Sequence, residues 1–199
     1  MPHIAVVIPV FNEAEVLPTL LQRLRAVFDA APELRWSACF VDDGSRDASV
    51  ALIEAAAQQD PRITAVLLSR NFGHQAALTA GIAQVRGADA VVTMDADLQD
   101  PPELIPELVA AWRGGAEVVL AVRRSRRERG MRRLGFELFH RVFQRLTDQP
   151  VEANSGTFGL LAAPAVEAFT QLPEQHRFFP GLRAWVGFTR AVVEYDRLE

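Results

Sequence analysis

Residues 1–122 predict a doubly wound, mainly parallel α/β sheet with helices on both faces. Three observations carry that prediction. Apolar, β-branched runs alternate with stretches of helical periodicity. The runs are apolar at successive positions, as strands buried on both faces require, and they end in short turns rich in Asp, Asn, Gly and Pro.

Ile4 to Val10 is the first such strand, ended by Pro9-Val10-Phe11. Asn12 and Glu15 have the spacing of a capping box, and Leu17, Leu20, Leu21, Leu24, Val27 and Phe28 then recur at helical intervals. Cys39 to Val41 closes a second strand at Asp42-Asp43-Gly44-Ser45, followed by a helix over about Ala48 to Gln58. Ala65 to Leu68 reads as a third strand, Gln75 to Val85 as a helix and Ala90 to Met94 as a fourth strand. A helix over Leu104 to Trp112 and a fifth strand over Glu117 to Val122 complete the alternation. No linker or internal repeat interrupts it, and a chain of 199 residues, 49% hydrophobic, suffices for one well-packed domain spanning 1–199.

Composition narrows the function. The lone Cys39 sits in an apolar run, so no disulfide framework exists and a reducing, cytoplasmic compartment is expected. Met1-Pro2-His3 leads straight into a strand, which argues against a signal peptide. No run approaches the ~18 apolar residues of a membrane span. The net charge of −4 hides an asymmetry: all 21 basic residues are arginine, and seven fall between Arg123 and Arg133. Leu134 to Leu146 then carries a broad apolar face. Two readings of 123–146 stand side by side: a solvated loop before a core helix, or a basic loop and amphipathic helix that lies on an anionic membrane surface or grips a phosphorylated lipid. Arginine suits the second because its planar fork binds phosphate bidentately. Nucleic acid is not expected as a partner, since the chain is acidic overall and its arginines lack interleaved aromatics.

The densest chemistry lies in Val91-Val92-Thr93-Met94-Asp95-Ala96-Asp97-Leu98-Gln99-Asp100-Pro101-Pro102-Glu103. Carboxylates two positions apart on an extended backbone lie about 7 Å apart on one side, where both face a single hard cation. Gln99 adds a neutral oxygen. Asp100, with Pro101 after it and Glu103 three residues on, reads as an N-cap that fixes the turn, which puts the acids at a strand's C-terminal end, where open α/β sheets bind ligands. The plainer reading of Asp95 and Asp97 is a pair of capping carboxylates. Other phosphate sites are set aside: a P-loop needs a lysine the chain lacks, and no G-x-G-x-x-G follows the first strand. An aspartyl-phosphate chemistry would also want a lysine, and Ser45, Ser69 and Ser155 lack a nucleophile-elbow context. His74, beside Asn71 and Gly73 at a helix start, fits a turn or capping role better than catalysis.

Four segments, Pro9-Val10-Phe11-Asn12-Glu13, Val41-Asp42-Asp43-Gly44-Ser45-Arg46-Asp47, Ser69 to Ala77 and Met94 to Glu103, together resemble family 2 glycosyltransferases of the GT-A (nucleotide-diphospho-sugar transferase) fold. Within that family they are most similar to polyprenyl-phosphate glycosyltransferases, relatives of dolichol-phosphate mannose synthase and the bactoprenol glucosyltransferases. The resemblance implies a metal-dependent, inverting transfer of a sugar from a nucleotide-sugar donor to a polyprenyl (undecaprenyl or dolichyl) phosphate at the cytoplasmic face of a membrane. It assigns Pro9, Phe11, Glu13, Val41, Asp43, Asp95, Ala96 and Arg123 to the nucleotide sugar, with Phe11 standing where tyrosine is usual. Asp97 and Gln99 would hold Mg²⁺ or Mn²⁺, Asp97 and Arg123 would serve catalysis, and Arg132 or Arg133 would meet the acceptor phosphate. The later family motif, Gly-Asp-Phe-Arg-Leu or Gly-Ser-Phe-Arg-Leu, reads Gly156-Thr157-Phe158-Gly159-Leu160 here, without acid or arginine. That departure keeps two alternatives open: a transferase acting on a saccharide or another lipid, and a catalytically weakened nucleotide-sugar or membrane-binding module. The chain ends at Asp196-Arg197-Leu198-Glu199, ahead of the basic segment and transmembrane helices of relatives. The expectation is either a piece of a longer membrane protein or a short member held peripherally by its amphipathic segment. Homo-oligomerisation is left open.

Overall fold

Strand β1 (His3–Val10) shows why the chain begins with an unbroken apolar run. Ile4, Val6, Ile8 and Val10 enter one core, while Ala5 and Val7 enter another on the opposite face of the sheet. Each fully buried Val or Ile contributes roughly 1.5–3 kcal/mol. In this computed structural model the described residues are 1–124, 155–174 and 177–196. The remaining strands among them are β2 (Arg35–Asp42), β3 (Ile63–Leu67), β4 (Ala90–Thr93), β5 (Val118–Arg123), β6 (Ser155–Ala162) and β7 (Arg190–Tyr195). They form one sheet in the order β3-β2-β1-β4-β6-β5-β7. Strands β1, β2, β3 and β4 pair in parallel, as do β5 and β7; only β6 runs antiparallel, between β4 and β5. The sheet is mainly parallel, as the alternation predicts.

Helices cover both faces. α1 (Leu17–Ala30), α2 (Ser49–Gln59) and α4 (Ile105–Arg113) pack on the face of Ile4 and Ile8. α3 (His74–Gln84), α5 (Ala163–Gln171) and the start of α6 (Phe179–Trp185) cover that of Ala5 and Val7. The chain steps from β1 outward through β2 and β3, then returns to place β4 on the other side of β1. The strand order therefore reverses at β1, and a crevice opens beyond the carboxyl ends of β1 and β4. Cys39 is buried in the second core, and burial pushes its thiol up to about 11, which makes it a packing residue.

Two local expectations need correction. Asn12 does not cap α1, which begins at Leu17 without a side-chain cap, after a turn in which the Glu13 carbonyl accepts from Val16 and Leu17 N–H. The Asn12 backbone is left-handed (φ 57°), which carries its Oδ1 across to the Arg46 N–H instead (2.8 Å). Asp100 is not an N-cap either: a 3₁₀ turn over Pro102–Leu104 follows Pro101 without a side-chain cap. The Asp100 carboxylate is buried and accepts from Arg123 and Tyr195, since a buried carboxylate needs charged or strongly polar partners. Of the basic loop and amphipathic helix expected over about 123–146, Arg123 ends β5 and residues 125–146 lie outside the described residues. Among the described residues no helix is long and apolar enough to cross a membrane.

Candidate active site

The crevice is built by three turns, each tied to the next. After β2, Asp42 Oδ2 accepts the N–H groups of Gly44 and Ser45 (both 3.0 Å), folding the chain back on itself. Gly44 sits at φ 74°, and a Cβ there would lie 2.6 Å from the backbone of Arg70 and Asn71, so only glycine lets the two loops close. Asp43 seals that contact: its two carboxylate oxygens accept the N–H groups of Phe72 (2.7 Å) and Gly73 (2.9 Å). The β1 turn is docked by Asn12 N–H on Ser45 Oγ and Glu13 N–H on Ser49 Oγ, both 2.9 Å. After β4, Asp97 Oδ1 accepts the Gln99 N–H (3.0 Å), and Leu98 takes a left-handed φ of 60°.

These turns line a cleft of about 280 Å³ with Pro9, Val10, Phe11, Glu13, Asp43, Asn71, His74, Asp95, Ala96 and Asp97. Seven of the residues singled out in the sequence thus meet: Pro9, Phe11, Glu13, Asp43, Asp95, Ala96 and Asp97. Phe11 is 42% exposed at the mouth and offers an aromatic face. Val41 is fully buried behind the cleft in the core under α3 and does not line it. Gln99 and Arg123 stand outside the cleft lining, Gln99 on the acidic loop and Arg123 at the end of β5. Arg132 and Arg133 lie outside the described residues.

The cleft is electronegative. Burial raises the Glu13 carboxyl above its usual range, and the facing charges of Asp97, Asp47 and Asp95 raise it further. Hard oxygen donors crowded without a lysine are the chemistry that Mg²⁺ or Mn²⁺ relieves. Among the described residues no three His, Cys, Asp or Glu side chains form a preformed metal cage. A cation bound here would have to share one or two protein carboxylates with a diphosphate, which is how Mg²⁺ is commonly held.

His74, expected as a turn residue, is the first residue of α3 and faces the cleft, its Nε2 2.8 Å from Asp95 Oδ1. The hydrogen bond to Asp95 raises its pKa against the opposing effect of burial. Gln75 sets the ring: its Oε1 accepts the Phe179 N–H (2.7 Å), which turns its amide nitrogen to His74 Nδ1 (3.2 Å). In the neutral ring Nε2–H is then the donor to Asp95. Its place inside the Ser69 to Ala77 segment was the only sequence signal for this role.

Arg183 carried no sequence signal. It reaches from α6 into the interior, 2% exposed, donates from Nη2 to the Gly156 carbonyl (3.1 Å) and lies over Phe179. Burial, then the charge of Arg190, lowers its pKa to about 10. A Cβ at Gly159 would stand 3.1 Å from its Nη1. An arginine thus lies beside position 159, delivered by a helix.

Comparisons with known proteins identify the family and the fold. Residues 5–168 match the family model described as glycosyl transferase family 2. The chain belongs to glycosyl transferase family 2. This family 2 chain is 40% identical over 196 residues to the glycosyltransferase YkcC of Bacillus subtilis (strain 168), covering 98% of this chain and 60% of that protein. It is 39% identical over 197 residues to the bactoprenol glucosyl transferase of Shigella phage SfX, covering 98% and 64% respectively. The chain thus spans about three fifths of the length of these relatives. The GT-A fold is seen in the mannosyltransferase PcManGT from Pyrobaculum calidifontis, in complex with GDP-Man and Mn²⁺. It superposes with a TM-score of 0.67 at 17% identity, over 97% of this chain and 55% of that one.

Proposed function

We propose that this domain transfers a sugar, with inversion at the anomeric carbon, from a nucleoside diphosphate sugar to a polyprenyl phosphate in a divalent-metal-dependent reaction. The observation that carries the reading is the convergence of Asp95, Asp97 and Glu13 with the aromatic face of Phe11 and the clasped Asp43 in one crevice at the strand-order reversal. Identity to the SfX bactoprenol glucosyl transferase supports the lipid acceptor.

Phe11 stacks on the base, and Asp43, which keeps a free lone pair on each oxygen, accepts from a base N–H. Asp95, oriented by His74, meets the ribose and diphosphate, with Ala96 beside it. Asp97 and Gln99 would hold Mg²⁺ or Mn²⁺, which supplies charge neutralisation on the leaving diphosphate. Arg123 adds a fixed positive charge to the same phosphates. The acceptor phosphate, with a second pKa near 6, is largely dianionic at neutral pH and attacks without a strong general base. Its oxygen bonds to the anomeric carbon as the bond to the β-phosphate oxygen breaks, and the electron pair leaves with the nucleoside diphosphate. Arg132 or Arg133 meets the acceptor phosphate, and the arginine-rich segment 123–133 faces an anionic membrane surface on its cytoplasmic side.

The test is thermal stabilisation by UDP, GDP, UDP-glucose and GDP-mannose, with and without Mn²⁺, on the wild-type chain and on Asp97→Ala. At a hundredfold excess over Kd a ligand stabilises by about 2.7 kcal/mol, a Tm rise of about 5–10 °C for a domain of this size. The expected result is a rise of that order that needs both Mn²⁺ and Asp97, and formation of a lipid-linked sugar once undecaprenyl phosphate is added. A rise that ignores both would sink the metal site. Nucleotide binding without transfer to any acceptor would favour the weakened-module reading that the Gly156 to Leu160 segment left open.

A further inference from the structure

We infer that Asp100 and Tyr195 are positioning residues that hold the Arg123 guanidinium for the donor diphosphate; the inference rests on the donor site proposed above. Arg123 ends β5 and Tyr195 ends β7, and the two are direct register partners in the parallel pair. Arg123 Nε donates to Tyr195 Oη (2.9 Å), Arg123 Nη2 donates to Asp100 Oδ1 (3.1 Å), and the Tyr195 hydroxyl donates to the same Oδ1. The three groups close a ring of hydrogen bonds in which Asp100 and Tyr195 are both buried.

The geometry is specific about which part of the guanidinium is used. Nε–H and the adjacent Nη2–H form one edge of the planar group, and both bonds lie on that edge. The other fork, made by Nη1 and the outer Nη2 hydrogen, has no acceptor among the described residues. That fork matches two oxygens of a phosphate. Clamping one edge holds a long, rotamer-rich side chain with the other edge presented, so little freedom remains to be lost when an anion binds.

The clamp also belongs to the acidic loop. Asp100 lies three residues beyond Asp97, across the left-handed Leu98, so the loop that carries the metal-binding carboxylate fixes the arginine on β5 as well. Tyr195 brings the last strand into the same arrangement, its ring held edge-on against Phe158 at 5.8 Å. Burial and the neighbouring Asp100 both raise the phenol's pKa, so it stays a neutral donor throughout the working pH range.

Tyr195→Phe removes the hydroxyl and keeps the ring against Phe158, and Asp100→Asn keeps the shape of the carboxylate. With UDP-glucose or GDP-mannose, Mn²⁺ and undecaprenyl phosphate, each variant is expected to lose about tenfold in kcat/KM while Tm moves by no more than about 2 °C. Arg123→Lys added to Tyr195→Phe should cost less than Arg123→Lys alone, because the clamp is already broken. Tyr195 is the chain's single tyrosine, so labelling tyrosine with ¹³C at Cζ gives one resonance that reports on its hydroxyl. UDP with Mg²⁺ should move that resonance in the wild-type chain and leave it in place in Arg123→Lys. If UDP with Mg²⁺ raises Tm but the resonance stays still, or if Tyr195→Phe lowers Tm and leaves kcat/KM of the folded protein unchanged, the positioning role is overturned and the donor site stands. Absence of nucleotide binding by the wild-type chain would remove the donor site and this role together.

Discussion

Position 159 shows how tightly single residues are held in the second core. A methyl group there would come within 2.5 Å of the Val119 carbonyl and 3.1 Å of Arg183 Nη1. Backbone on the neighbouring strand cannot yield cheaply, so Gly159→Ala is expected to cost about 2 kcal/mol, a Tm loss of about 4–8 °C measured by calorimetry. Retention of wild-type Tm would show that β6 moves freely against β5. His74 acts at the same scale by a different route. It bonds Asp95 at 2.8 Å and is itself set by Gln75, so its removal should loosen a carboxylate of the cleft without opening a core. His74→Ala is expected to weaken UDP affinity about three- to tenfold by calorimetric titration, the loss of one hydrogen bond to a charged group worth about 1 kcal/mol at a part-exposed site. His74→Gln should recover part of that affinity, because its amide still donates.

Between α2 and β3, elements are joined by a carboxylate clasp. Asp60, at the end of α2, accepts from its own neighbour Arg62 at 2.9 Å through both oxygens and meets Arg25 of α1 at 3.3 Å. Arg62 reaches on to Asp29 of α1 (2.7 Å), so two helices and a strand share one network. The hydrogen bonds from Arg62 hold the Asp60 carboxyl down at about 2. A depressed pKa gives stability that is complete above the unfolded value near 4 and lost as pH falls through the folded value. Asp60→Asn is therefore expected to lose about 1 kcal/mol at pH 7, allowing for the solvent that reaches Arg62 and Arg25, and the gap should close between pH 4 and pH 2 in urea titrations. A constant gap across that range would assign the clasp no ionic contribution. Such a network was not legible in the sequence, since nothing in the spacing of Arg25, Asp29, Asp60 and Arg62 announces that α1 and α2 lie side by side. What was legible were the strands β1 to β5 and helices α1 to α4, because burial on both faces writes continuous apolar runs and helical packing writes a 3.6-residue period. The acids Asp95 and Asp97 could be read for a similar local reason, since they stand where an apolar run ends, whereas Phe11 was pointed to by the family resemblance alone. Asp100, Tyr195, His74 and Arg183 escaped because their meaning comes from partners 21 to 95 residues away, and Asn12 and Asp100 misled because a capping pattern also suits a turn that sends its side chain elsewhere.

At the scale of the whole molecule, charge is divided rather than balanced. Residues 123–133 hold seven arginines against one glutamate, a local +6 in a chain of net −4. The rest of the chain carries −10, part of it concentrated in the cleft, where Asp95 and Asp97 face Glu13. An anionic membrane would repel the acidic body and attract the arginine segment, so the sign of the net interaction depends on distance. At 0.1 M salt the Debye length is about 10 Å, short enough that the membrane sees the nearest segment and little of the body. Each arginine near an anionic surface contributes about 1 kcal/mol. Replacing Arg126, Arg127 and Arg129 by glutamine should therefore weaken binding to vesicles of phosphatidylglycerol in phosphatidylcholine by about a hundredfold in sedimentation assays. A Tm equal to that of the wild type would show that the loss is one of binding and not of folding. Raising NaCl from 0.1 M to 1 M, where the Debye length is about 3 Å, should erase the wild-type advantage. Vesicle binding that survives both the substitutions and the salt would mean that apolar contact, through residues such as Phe72, Phe178 and Trp185 that stand exposed on the surface, holds the protein to lipid instead.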